Sequence, residues 1–334
     1  MQNNDQTEGL IQTKRFSLRN LLSKKEFGSI VAIIVMSVVL TITTESFLSV
    51  SNLVNVARQI STLSIVAVGM TFVVITSGID LSVGSNVAFS GMMLAFFLSK
   101  GAHPLLAIIV CLVAGSVVGF LNGFLVAYLK LPPFVATLGT YSSFRGFAML
   151  VTNGWPITLN SNENTAWFYF LGGGKLFNFL PMQIVFMIIV LIIGSIILKK
   201  TVYGQHVYAA GGNERAAVLA GISVKTVILK AYTIIGFLCG LAALLTVAYV
   251  RTAEPTMAQG MELDVIASAV IGGCSLSGGE GGIVGAFLGA VTIGMLLNGL
   301  VLLGASPFIQ KILIGAVIIM AVILSERVRK TGKK

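Results

Sequence analysis

Ionisable groups are what this chain has least of: 12 acids and 2 histidines among 334 residues. A carrier coupled to protons or ions needs paired acids or histidines within its membrane-spanning stretches. Here the acids stand almost wholly in polar connections or at the ends of apolar runs, which argues against that mechanism. Cysteine is equally sparse. Cys111, Cys239 and Cys274 are odd in number, lie in apolar segments and lack metal-like spacing, so they read as inert packing residues. No metal-ligand set and no nucleophile with a neighbouring base stands in the apolar runs, which argues against a membrane-embedded enzyme. The glycine-rich turn Gly278 to Gly282 lacks the lysine and Ser/Thr of a phosphate-binding loop, so the chain does not hydrolyse ATP itself. The first apolar run, from about Gly28, has no small-residue cleavage pattern and reads as a retained anchor, not a signal peptide.

Apolar surface is what the chain has in excess. Hydrophobic residues make up 56% and the mean hydropathy is +0.95, too apolar for a soluble fold. A helix needs about 20 apolar residues to cross a bilayer. Ten stretches approach that pattern, at about 28–44, 60–77, 83–98, 104–129, 134–152, 181–198, 231–250, 265–274, 283–303 and 307–324. The fold expected is an all-α polytopic membrane protein in contact with lipid. It has a cytoplasmic head at 1–27, one transmembrane domain at 28–325 and a basic cytoplasmic tail at 326–334. Residues 153–180 form the main external loop, with Trp155, Trp167 and Tyr169 as interface anchors, and 251–264 a second external stretch. The eighth stretch is too short to cross alone and must begin within Met261 to Asp264 or borrow Ser275 to Gly278.

The net charge of +10 could suggest nucleic acid, but the basic residues flank apolar runs instead of clustering with aromatics, so no nucleic-acid partner is expected. With both termini inside, only Arg58, Lys100, Arg145, Lys175, Arg251 and Lys311 of the 22 Lys and Arg fall outside or within spans. That asymmetry obeys the preference of cytoplasmic loops for positive charge.

The polar stretch 199–230 stands out among the connections. Gly211-Gly212 is expected to break the backbone, Asn213 to cap, and Glu214 to Ala220 to form a helix that Gly221 stops. About two turns of helix are not stable alone in water, so this one must lean on its own domain or on a second protein. The run Tyr203-Gly-Gln-His-Val-Tyr-Ala-Ala-Gly-Gly-Asn-Glu-Arg-Ala-Ala-Val-Leu-Ala-Gly-Ile222 resembles the coupling loop of ribose/galactose-type permeases of ATP-binding-cassette (ABC) sugar importers. Ala216-Ala217 followed by Gly221 is similar to the core of the wider importer loop, in which a Glu precedes the alanines. Here Arg215 holds that place and Glu214 stands one earlier. The likeness continues through Gly69 to Ser85, Thr137-Leu-Gly, Pro255 to Gly282 and Asn298-Gly-Leu, from about Phe47 to Val322.

The resemblance implies a homodimeric permease in the bacterial cytoplasmic (inner) membrane, fed with a monosaccharide by an extracytoplasmic sugar-binding protein. An ABC ATPase subunit would grip the loop and hold ATP-Mg, leaving this chain without a cofactor or a metal. It places ATPase coupling on Gly212, Asn213, Glu214, Arg215, Ala216, Ala217 and Gly221. Gly78, Asp80, Ser82 and Glu280 are turn or gate candidates, Asp80 being either a helix cap or a contact with the ATPase or a gate. Neutral sugars are held by amides, hydroxyls and aromatic faces, so Asn122, Thr137, Tyr141, Arg145 and Asn298 are candidates for the route; alternatively the asparagines and the threonine bond neighbouring helices. Glycines at helical spacing, Gly115 and Gly119 or Gly285 and Gly289, read as close-packing positions. An ion-coupled secondary carrier is the alternative function.

Overall fold

The computed structural model describes residues 27–160 and 165–331, so the cytoplasmic head predicted before residue 27 lies outside the described residues. Thirteen helices occur among them. In chain order they are α1 (Phe27–Thr43), α2 (Val50–Ile75), α3 (Val83–Ser99), α4 (Pro104–Ala127), α5 (Pro133–Leu150), α6 (Ala166–Gly173), α7 (Met182–Lys200), α8 (Val202–Gly212), α9 (Glu214–Leu219), α10 (Val224–Val250), α11 (Met261–Ile271), α12 (Ile283–Leu302) and α13 (Pro307–Thr331). Five of these, α2, α4, α7, α10 and α12, are long and apolar enough to cross a membrane.

Helix starts follow local chemistry. Ser49 accepts the Asn52 N–H to cap α2, and His103 Nδ1 accepts the Leu105 N–H at 3.3 Å to cap α4, whose first residue is proline. The α10 helix ends where Arg251 turns left-handed (φ 60°). Two boundaries lie well outside the apolar runs. The α2 helix starts at Val50 and α10 at Val224, because the polar residues of their first turns are still helical. The α13 helix likewise runs on to Thr331, into the predicted tail. Gly211-Gly212 closes α8 as its last turn; the break falls at Asn213, which is extended (φ −157°). The eighth span is α11, which starts at Met261 as one option held, but has 11 residues and stops at Ile271. At 1.5 Å per residue it covers about half the hydrocarbon thickness.

The core is built around α2, the most buried of the long helices. The α4 and α10 helices share the most extensive helix contact, and glycine makes it possible. Cβ atoms on Gly115, Gly119 or Gly236 would overlap the backbone of the facing helix. Lipid tails are as apolar as leucine, so close backbone packing has to supply the association that water supplies elsewhere. The same device joins α11 to α12, where Gly285 faces the Gly272 carbonyl and Gly289 that of Ser268.

The connections at one end also order themselves. Strand β1 (Ile157–Thr158) pairs antiparallel with β4 (Thr252–Ala253), so the two connections read as external meet. Strands β2 (Lys175–Leu176) and β3 (Leu180–Pro181) form a hairpin ahead of α7. Tyr169 is buried there, its hydroxyl on the Asn160 carbonyl and Arg251 over its ring, so it is not an interface anchor.

Gly119→Ile should exceed the about 1–3 kcal/mol usual for overpacking, because backbone has to move. Gly139→Ile, with open space around its Cβ, should leave stability unchanged; thermal unfolding of both proteins in detergent compares them.

Candidate functional site

The α8 and α9 helices leave the bundle and return to it between α7 and α10. Asn213 caps α9 by accepting the Ala216 N–H at 3.0 Å. Within α9, Ala217 is buried against its own domain, and the Ala217 carbonyl accepts the Ile222 N–H at 3.0 Å. The exposed face is therefore formed by Glu214, Arg215, Ala216, Val218 and Leu219, with Leu219 90% exposed. An exposed leucine on a six-residue helix that leaves the apolar runs is the kind of feature that marks a contact surface. Gly212 and Gly221 stay exposed at either side, and Gly221 turns left-handed (φ 80°) to release the chain toward α10.

The α8 helix is fastened to the bundle by the Tyr203 and Tyr208 side chains and by a close backbone contact at Gly211. A Cβ on Gly211 would overlap the Ile75 carbonyl at the end of α2, and the same carbonyl accepts the Gly279 N–H at 2.9 Å. Ser77 Oγ donates to Ser277 O at 3.0 Å, and Tyr208 Oη to Gly281 O at 2.8 Å. Glu280 is exposed in this close turn, which Gly278, Gly279 and Gly281 form with positive φ. The end of α2, the end of α8 and the 275–281 turn thus make one backbone joint.

Beyond that joint the chain is non-helical from Thr76 to Ser82, yet buried among helices, and its polar groups are satisfied locally. Asp80 is 2% exposed and accepts from Ser82 N (2.8 Å) and Ser82 Oγ (2.6 Å). Asn122 Nδ2 donates to Ser82 Oγ at 2.7 Å, and Thr140 Oγ1 to Asn122 Oδ1 at 2.6 Å. Thr137 and Tyr232 both donate to the Ile79 carbonyl. Asp80 therefore acts as an Asx-type cap on the turn into α3, and Gly78 leaves room for the Tyr232 hydroxyl. Asn122 and Thr137 join helices in this knot.

Arg145 stands apart from them. It is 8% exposed, lies 5.7 Å from the Tyr141 ring centroid and donates from Nη1 to the carbonyls of Pro255 (2.6 Å) and Met257 (3.0 Å). Its Nε and Nη2 are buried without a hydrogen-bond partner, as is Glu262 Oε2 on the same segment. The segment it grips, 254–260, is an irregular, partly exposed stretch in which Pro255 is buried and Ala258 and Gly260 have positive φ. Ala258 and Glu262 press on Gly84 so closely that a Cβ there would overlap both. Irregular backbone inside a membrane bundle persists where it is buried in protein or lines a cavity.

The other side of this segment does line one. A cavity of about 800 Å³ opens between the first half of α2, the second half of α12, the end of α10 and residues 257–264. Of the five route candidates from sequence, only Asn298 reaches it, paired with Asn52 through two amide hydrogen bonds of 2.8 and 3.1 Å. Asn52, Asn55, Gln59 and Thr62, spaced three, four and three apart along α2, share that wall. This stripe is the signal that marks the site in sequence, hidden when 47–55 is read as an outer connection. Asp264, read as external, is also in the wall.

A family model described as the permease component of the branched-chain amino acid transport system matches residues 52–322. The chain belongs to this family. It is 39% identical over 320 residues to the ribose import permease protein RbsC of Bacillus subtilis (strain 168), covering 95% of this chain and 97% of that one. Identity is 38% over 302 residues to RbsC of Escherichia coli (strain K12), 90% and 94% of the two chains. It is 33% over 293 residues to the fructose import permease protein FrcC of Rhizobium meliloti, 86% and 81%. No solved structure matches. As a permease component, the chain is a multi-pass membrane protein, and both the joint at Gly211 and the cavity fall inside the matched residues.

Replacing Arg145 with methionine would leave the Pro255 and Met257 carbonyls unpaired, costing about 1–3 kcal/mol. The expected result is faster hydrogen exchange at Met257 to Met261 with α4 and α10 unchanged, read by mass spectrometry.

Proposed function

We propose that this chain is the transmembrane permease of an ABC importer that moves a monosaccharide, ribose or a similar pentose or hexose, across the bacterial inner membrane. It spans ten times with both termini cytoplasmic and acts as a homodimer. An extracytoplasmic binding protein docks on the β1–β4 end, and a cassette ATPase carrying ATP-Mg grips α9. The carrying observation is α9 itself: a capped six-residue helix with Leu219 exposed, anchored through Ala217 and continuous with a joint on α2. Such a helix is too short to persist alone, and Ala217 gives it one support while its other face is left open to a partner. The sugar class is supported by the relatives, which are named ribose and fructose import permeases.

Force on α9 would reach α8, and from Gly211 and Tyr208 it would pass to the end of α2 and the 275–281 turn. Rigid-body displacement of those elements changes access to the cavity at the far end of α2. The buried Asp80 and the half-buried Glu262 and Asp264 favour one other reading, the ion-coupled carrier. It would win if the permease alone moved sugar down an imposed proton gradient.

Leu219→Arg is expected to lower co-purification of the ATPase by about tenfold or more, the scale of an interface hot spot, with the permease still inserted and folded. Ala217→Arg should in addition lower the permease's own stability, because that position is buried. Full retention of the ATPase by the Leu219 variant would refute the coupling role.

A further inference from the structure

We propose that the cavity between α2 and α12 is a binding chamber for one uncharged monosaccharide within the bundle of a single subunit. The assignment rests on the importer reading and gives it a site. Its wall presents the α2 stripe Asn52, Asn55, Gln59 and Thr62 opposite Asn298. Carboxamides offer a donor and an acceptor on adjacent atoms, which is the pattern that vicinal hydroxyls require. The chamber's ionic groups are one cation, Arg58, and one acid, Asp264. Arg58 Nη1 donates to Tyr249 Oη at 3.2 Å and its guanidinium lies 4.8 Å from that ring's centroid, while its Nε is buried without a partner. The one cation is matched by one acid in the same wall, so the chamber has no excess positive charge for a phosphate or a carboxylate, and a neutral polyol is the ligand that suits it.

Three further observations converge on the same place. The Tyr249 ring is in the wall and is fixed by Arg58, and aromatic faces pack against the C–H face of a sugar ring. The α11 helix starts at Met261 on the wall itself, after the irregular 254–260 stretch that Arg145 holds from behind. Interrupted helices inside a membrane bundle recur where a transported solute sits, since only there are free backbone groups useful. A volume of about 800 Å³ lies within the roughly 300–1,000 Å³ of small-molecule sites. It exceeds what one monosaccharide fills, which suits transit with water better than tight capture.

The test uses the full chain in lipid nanodiscs with Cys111, Cys239 and Cys274 replaced and Asn55→Cys introduced. The new thiol is reacted with a membrane-impermeant methanethiosulfonate, with and without excess D-ribose or D-ribose 5-phosphate. D-ribose should slow the reaction about threefold or more, as expected for a site held at a few times its dissociation constant, and the phosphate should not. No protection by D-ribose, or equal protection by the phosphate, overturns the proposal. In the assembled transporter, Thr62→Trp fills the chamber and should cut maximal uptake about tenfold with the affinity for sugar unchanged, a loss confined to steps after binding. Co-purification of the ATPase should persist, which shows that the variant is folded and assembled. Uptake at the unaltered rate in that variant also overturns the chamber. Failure of the unaltered chain to bind any ATPase would instead sink the importer reading and leave the ribose protection result standing.

Discussion

The joint at Ile75, Gly211 and Gly279 governs how this molecule is put together. Backbone meets backbone there: one carbonyl at the end of α2 packs on a glycine of α8 and accepts from the glycine-rich turn before α12. Side chains at an interface act as springs, since rotamers change on small displacement. A contact with no side chain has no such compliance. The end of α2, the end of α8 and the 275–281 turn are thus held directly to one another, and α2 and α12 lead from them to facing walls of the cavity. At the other end α2 meets α12 through flexible groups, the Asn52–Asn298 amides and the Ile60 side chain lying on Gly294. A helix of 26 residues, about 39 Å at 1.5 Å per residue, is thus clamped at one end and softly held at the other.

The same logic explains why so much irregular backbone is buried. In a membrane bundle each unpaired N–H or C=O costs several kcal/mol unless protein or water satisfies it. The 76–82 stretch is satisfied by a compact set of side chains, Asp80, Ser82, Asn122, Thr137 and Tyr232, and reads as a permanent structural knot. The 254–260 stretch is satisfied less completely. Arg145 uses one of its three nitrogens, and Glu262 leaves one oxygen buried without a partner. Arg145 and the half-buried Glu262 flank a segment with a non-glycine positive φ at Ala258, so this part of the wall is irregular without being closed by a set of side chains as 76–82 is. The two irregular stretches meet at Gly84 but differ in kind.

What the sequence made legible follows from what membrane physics writes into it. Long apolar runs located α4, α7 and α12 within a few residues, because lipid contact demands uniform apolarity. Gly115 and Gly119 announced the α4 contact with α10, since nothing larger fits. Asn213 and Gly221 bracketed α9 by local capping rules. Helix starts at Val50 and Val224 were hidden for the opposite reason: Asn52, Asn55 and Gln59 line the cavity and Lys225 is exposed, so an apolar criterion ends the helix where its environment changes. The orientation of α9 was illegible as well. Six residues hold fewer than two turns, too few for a periodicity that would tell Ala217, turned inward, from Leu219, turned out. Asn122 and Asn298 look alike in sequence and part company only through tertiary neighbours, one in the knot and one in the cavity wall.

That divergence bears on where selectivity for a solute can reside. Asn122, locked in the knot, cannot respond to a ligand without costing the fold, because its amide ties together the Ser82 and Thr140 side chains around the buried turn that Asp80 caps. Asn52 and Asn298 bond only each other's amides across the cavity wall, apart from one carbonyl at Phe47. Exchanging that pair for hydroxyls of a solute conserves the number of hydrogen bonds and leaves no backbone group stranded. Polar contacts that can be traded one for one are cheap to open and close, and they lie at the softly held end of α2. The stiff end can then transmit force while the compliant end accommodates the solute, so that stability and passage draw on different residues of a single helix.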